Sequence, residues 1–154
     1  MTSTAALTSE QEDRRAWLGL MASAPAGRLA ALCTSAGLDW PADWLRPPEV
    51  GAVMVRGRAG GTGAPFNLGE MTVTRASVRL PSGEVGHGTV QGRDKVAAGW
   101  AAQVDALMQT GAADAVRAAV LAPLAAEADA RRGARAAKAA ATKVEFFTLV
   151  RGED

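Results

Sequence analysis

The sequence predicts an α+β fold, an antiparallel sheet of three to four strands with four to five helices packed mainly on one side. Three observations predict it. Residues 50–91 alternate apolar and polar side chains with a period of two, punctuated by glycine and proline. The segments before and after this region repeat their apolar residues at three- and four-residue spacing. The length, 154 residues, suits a single domain spanning 1–154.

Taken in order, residues 1–8 read as a loose start. Ser9 with Glu12 three residues later has the form of a capping box and opens a helix to about Ser23, with Trp17, Leu20 and Met21 on one face. Pro25 suits the first turn of a second helix that carries Leu29, Leu32 and Cys33, and Gly37 suits its left-handed stop. Trp40, Pro41, Trp44, Pro47 and Pro48 crowd the stretch 38–49, which predicts a loop or a single helical turn around 42–45. Val50 to Arg58, Glu70 to Leu80 and Glu84 to Gln91 read as strands, the last two joined into a hairpin by Pro81, Ser82 and Gly83. A glycine-rich loop separates the first two. Arg93 to Thr110 is the clearest helix, with a stripe of Val96, Trp100, Val104, Leu107 and Met108 and a stop at Gly111. Helix continues from Asp114 until Pro123, then as an alanine-rich segment from Leu124 to Thr142. From Lys143 the pattern turns β-like, so 143–154 is expected to be a fourth strand or a docked extended tail.

Composition bounds the function. Alanine accounts for 35 residues, with no isoleucine and no tyrosine, so the core is short of large side chains. An alanine methyl contributes roughly 0.8 kcal/mol on burial, against about 1.5–3 for leucine or valine. The largest share of the alanines lies between Ala112 and Ala141, in the two C-terminal helices, and the helix from Leu124 to Thr142 is the element expected to lean on a partner; helix propensity alone would also place alanines there. The charge is balanced, 17 basic against 16 acidic residues, which leaves no field for nucleic acid. One cysteine excludes an internal disulfide. No apolar run approaches about 18 residues, so no membrane span is expected. The polar, acidic start is unlike a secretory signal, and the cytoplasm is the expected location.

With one histidine, His87, and one cysteine, Cys33, no ordinary zinc site can be assembled, and no metal ligands are expected. Cys33 lies on an apolar helix face and reads as buried. No nucleophile elbow precedes any serine, so His87 is read as a strand-edge or interface residue, and no catalytic residue is assigned. Gly60, Gly61, Thr62 and Gly63 follow a strand, but neither a Walker loop nor a dinucleotide fingerprint is present. In the second glycine-rich stretch, Gly86 to Lys95, Gly92 turns and Arg93 and Lys95 enter the first turn of a helix, where cations suit the dipole only if an anion docks; an ordinary solvated turn is the alternative. Arg56 and Arg58 share one side of the first strand, and Arg75 and Arg79 one side of the second. Should the two sides coincide, four guanidiniums would face a polyphosphate or an acidic partner, or else solvent. Trp40 and Trp44 read either as partner anchors or as caps on the local core.

The run RAGGTGAPFNLGEMTVTRASVRL from Arg58 to Leu80 resembles the small G subunit (PhnG) of the bacterial carbon–phosphorus lyase system. GRDK at Gly92 to Lys95, DALMQ at Asp105 to Gln109, APL at Ala122 to Leu124 and VEFFTLVRG at Val144 to Gly152 extend the match in the same order, over about residues 10–153. The resemblance implies a cytoplasmic accessory subunit of a core complex with the H, I and J subunits. Together with the L protein it would support displacement of adenine from ATP by a phosphonate, giving α-D-ribose 1-phosphonate 5-triphosphate. ATP is then a substrate of the complex, and this chain binds no cofactor of its own. In the family an aromatic can stand where this chain has His87, which argues against a catalytic histidine. The resemblance leaves Arg58, Gly60, Gly61, Thr62, Gly63, Arg75, Arg79, His87, Arg93 and Lys95 as expected phosphate or partner contacts. Trp40, Trp44, Phe146 and Phe147 are expected at a partner interface. A free-standing nucleotide- or phosphate-binding module is the alternative function.

Overall fold

A computed structural model of the chain describes residues 6–38 and 42–142. Its elements are α1 (Ser9–Ala22), α2 (Arg28–Ser35), β1 (Asp43–Arg58), β2 (Pro65–Arg79), β3 (Val85–Gln91), α3 (Lys95–Leu107), α4 (Ala113–Val116), a π-helical turn (Arg117–Leu121) and α5 (Ala122–Ala141). The strands form one antiparallel sheet in the order β1-β2-β3. The fold is therefore α+β, as the sequence predicts. The expected tail strand, with Phe146 and Phe147, lies outside the described residues, as does Trp40.

The core side of the sheet is set by the register. Thr74, Ala76 and Val78 of β2 stand opposite Val90, Gly88 and Gly86 of β3, and all six are buried. They meet α3, whose sheet-facing residues are Ala98, Ala101, Ala102 and Ala106. Small side chains on both sides bring helix and strand backbones into close approach. A Cβ on Gly86 would lie 1.9 Å from the Ala102 carbonyl oxygen, and one on Gly88 2.2 Å from that of Ala98. Val104, Leu107, Met21, Leu29, Leu32, Val116, Val120 and Leu124 complete the core on the far side of α3.

Several local expectations need correction. The N-terminal box is built by Thr8 and Gln11, one residue earlier than Ser9 and Glu12, because Thr8 is the residue with extended backbone there. Pro25 belongs to the turn before α2, which starts after Gly27 in a left-handed conformation (φ 72°). Gly37, at φ 64°, does follow α2 as its left-handed stop.

The stretch 42–49 is neither loop nor helical turn, since β1 already begins at Asp43. Two prolines are tolerated because β1 is an edge strand and its register slips between Arg46 and Glu49, so no ladder hydrogen bond is asked of Pro47 or Pro48. Val96 is 61% exposed and lies outside the buried stripe of α3, which the alanines share with Val104 and Leu107. Helix α3 ends at Leu107 with Met108 as its C-cap, and Gly111 is not left-handed. Pro123 does not end the following helix either. The π turn before it passes its last bond from the Ala122 N–H to the Arg117 carbonyl, and Pro123 then falls in the first turn of α5, where its missing N–H is not needed.

Beyond Ala128 the whole of α5 is exposed, so seven of the C-terminal alanines lie in a segment with no intramolecular cover among the described residues. Cys33 is fully buried, and burial pushes its thiol up to about 12. Iodoacetamide at pH 8 is therefore expected to modify the folded chain roughly a hundredfold or more slowly than the urea-unfolded chain. Equal rates would mean that the thiol is reachable.

Candidate functional site

The sites expected from sequence separate in the structure. The four strand arginines do not form one cluster, because the register separates them along the ribbon. Arg75 stands opposite Glu49 and Arg79 opposite Asp43, whereas Arg56 and Arg58 stand opposite Asn67 and Pro65 at the far end of the β1–β2 ribbon. Arg75 lies flat across Gly51, where a Cβ would sit 3.2 Å from its Nη2, and its Nε is buried without a hydrogen-bond partner.

The glycine loop is the tip of that ribbon. Ala59–Gly61 form a short 3₁₀ turn in which Gly60 and Gly61 take positive φ (60° and 79°). Arg58 Nη1 donates to the Gly63 carbonyl at 3.1 Å and braces the turn. Arg56, Arg58, Gly61 and Pro65 line an open depression there. At the other expected anion site, Asp94 is the N-cap of α3, and its Oδ1 accepts from the Ala97 N–H at 2.9 Å. One of the N–H groups that an anion would use is thus already taken, with Arg93 outside the helix and Lys95 at its first residue.

His87 projects from the sheet face opposite α3. Its Nδ1 pairs with Ser77 Oγ at 2.9 Å across the β2–β3 ladder. Among the described residues no carboxylate orients the ring, so the pair lacks there the third member that activates a serine. Cys33 is in the core on the other side of the sheet, so no Cys–His pair exists. Among the described residues no group of three potential ligands could hold a metal, and no helix is long and apolar enough to cross a membrane. Trp44 is 46% exposed and rests its ring edge on Gly99, which places it both on α3 and at the surface.

Two features were not singled out in the sequence. The first is a buried node at Asp105, which has no exposure. Arg14 donates to it from Nε (3.0 Å) and Nη2 (2.6 Å), Trp17 from Nε1 (2.9 Å) and the His87 backbone N–H at 2.8 Å. The node ties α1, α3 and β3 together. Its signal was an acid inside an apolar helical stripe. The second is a bare arm. β3 pairs with β2 only from Val73 onward, so the ribbon of β1 and β2 runs on alone to its tip for about 25 Å. Met54, Phe66 and Leu68 are exposed on it, Leu68 at 66%.

Residues 12–152 match the family model described as phosphonate metabolism protein PhnG. The chain belongs to the PhnG family. A relative from Rhizobium meliloti (strain 1021), the α-D-ribose 1-methylphosphonate 5-triphosphate synthase subunit PhnG, is 51% identical over 142 residues, covering 92% of this chain and 90% of the relative. The PhnG-like motifs fall on structural nodes. The run from Arg58 to Leu80 is the arm tip and β2, GRDK is the turn that caps α3, DALMQ carries Asp105, and APL holds the proline after the π turn.

Proposed function

We propose that this chain is an accessory subunit of the synthase that displaces adenine from ATP with a phosphonate, giving α-D-ribose 1-phosphonate 5-triphosphate in organic phosphonate breakdown. The observation that carries this reading is the 51% identity to a synthase subunit across nearly the full length of both chains. The geometry supports an accessory role. The arm supports it, since an isolated two-stranded ribbon is at best marginally stable in water. The arm with Met54, Phe66 and Leu68, basic at Arg56 and Arg58, suits burial against a partner subunit with an apolar, acid-edged surface. The exposed end of α5 is a second surface of this kind.

In this reading the partners are the H, I and J subunits with the L protein, the location is the cytoplasm, ATP is held by the complex, and residues 1–154 act as one domain. Arg58, Gly60 to Gly63, Arg75, Arg79, His87, Arg93 and Lys95 serve as phosphate or partner contacts. Trp40, Trp44, Phe146 and Phe147 serve the interface. The purified chain alone is expected to release no adenine from ATP when methylphosphonate is added, and the co-expressed subunits to release it. Turnover by the isolated chain would refute the accessory reading.

A further inference from the structure

β3 is an edge strand, and its two halves are treated differently. Gly92 N–H donates to the Thr72 carbonyl and Leu80 N–H to the Glu84 carbonyl, so the even-numbered residues of this strand turn their backbone groups toward β2. The odd-numbered residues turn theirs outward. At the start of the strand these outward groups are closed by side chains. The Val85 carbonyl accepts from Arg14 Nη2 (3.3 Å) and Gln109 Nε2 (2.8 Å), and the His87 N–H donates to Asp105. Further on, the His87 carbonyl, both groups of Thr89 and the Gln91 N–H have no partner among the described residues. The other edge of the sheet is defended by Pro47 and Pro48.

Beside the open half lies a groove of about 550 Å³ between α1 and β3, lined by Leu7, Leu18 and Ala22 with His87 and Thr89. Among the described residues its formal charges are Arg14 and Arg15, with no acid on its wall. Arg14 is committed to Asp105, while Arg15 is exposed. We infer that an extended segment of a partner subunit adds to β3 as a further strand over His87–Gln91. It seats apolar side chains against Leu7, Leu18 and Ala22 and brings a carboxylate to Arg15. The unpaired backbone calls for an extended chain, and the one-signed rim calls for an acidic one.

This inference rests on the accessory-subunit reading. Its test is amide hydrogen–deuterium exchange of the isolated chain and of the co-expressed complex. Exchange at Thr89 and Gln91 is expected to slow at least tenfold on assembly. Thr89→Pro removes an outward N–H that the sheet does not use, so the fold is expected to survive while recovery of the complex falls at least tenfold. Should Thr89→Pro not fold, Arg15→Glu, which leaves the strand untouched, is expected to weaken recovery in the same direction. If the complex assembles and both amides exchange as in the free chain, strand addition is wrong and the accessory reading stands. If no complex forms, both fall. Slow exchange in the isolated chain would mean that its own residues already cover the edge, which also overturns the proposal.

Discussion

Gly86→Ala is expected to lower the thermal midpoint by more than about 10 °C or to prevent soluble folding. The added methyl would sit 1.9 Å from the Ala102 carbonyl oxygen and 2.5 Å from the Ala106 nitrogen. Both are helix backbone, which cannot step aside as a flexible side chain would. Relief requires α3 to lift off β3, and this loosens the alanine-to-glycine seam along the whole contact. Overpacking by a methylene in a core that can adjust costs about 1–3 kcal/mol; here the neighbours are fixed, so the cost exceeds that range. At this size each 1 kcal/mol moves the midpoint by about 2–4 °C. Gly88→Ala should behave alike, with its methyl 2.2 Å from the Ala98 carbonyl.

The control lies between them. The His87 side chain is exposed on the opposite face and touches Ser77, so His87→Ala should fall within about 0.5 kcal/mol of the parent. Thermal unfolding followed by circular dichroism separates this account from one in which the glycines of the stretch Gly86 to Lys95 serve anion binding. In the latter account the glycine variants would melt like the parent and lose only ligand binding.

That motif also shows where sequence reasoning stops. Alternation along 70–91 made the β2–β3 hairpin legible, because one face of those strands is buried and period two follows from burial. The same logic failed for 43–49. That piece of β1 is exposed on an edge, so burial imposes no alternation on it, and the prolines that signal a loop are also permitted in an edge strand at a register slip. In α3 the eye follows valine, tryptophan and leucine. The face that meets the sheet is nevertheless alanine, since the approach to Gly86 and Gly88 leaves no room for more. Small residues that permit contact carry little hydropathy signal. Pro123 misled for a related reason, because a π turn is not visible in a residue pattern.

The candidate site was legible only residue by residue. Arg56, Arg58, Arg75 and Arg79 were each on strands as expected, but whether their sides coincide depends on pairing register, which one strand does not contain. Glu49 opposite Arg75 and Asn67 opposite Arg56 place the two pairs at opposite ends of the ribbon. The open edge at Thr89 was equally invisible. Outward backbone groups depend on strand order and on which side chains fold back over the edge, and here Arg14 and Gln109 arrive from two different helical regions.

Asp105→Asn is expected to cost about 3 kcal/mol, read as a urea midpoint lower by about 1 M or more with little change in slope. Both carboxylate oxygens act as acceptors in the node. Oδ1 takes Arg14 Nε and Trp17 Nε1, and Oδ2 takes Arg14 Nη2 and the His87 N–H. An amide keeps the shape but turns one acceptor into a donor, so two of the four donors face an N–H whichever way it is flipped. Asp105→Ala removes the counter-charge as well and should reach about 3–5 kcal/mol, because Arg14 is then left part-buried and unpaired. The Arg28–Glu127 pair is more open, at 40% and 35% side-chain exposure, and Arg28→Ala should change the midpoint little. This ordering tests whether burial, rather than the presence of an ion pair, sets the effect. A midpoint for Asp105→Asn within about 0.3 M of the parent would remove Asp105 as the tie between α1 and β3. In the expected case α1 loosens first, so Trp17 emission should shift before the far-ultraviolet signal is lost. The Thr89 groove, which has α1 as one wall, should disappear with it.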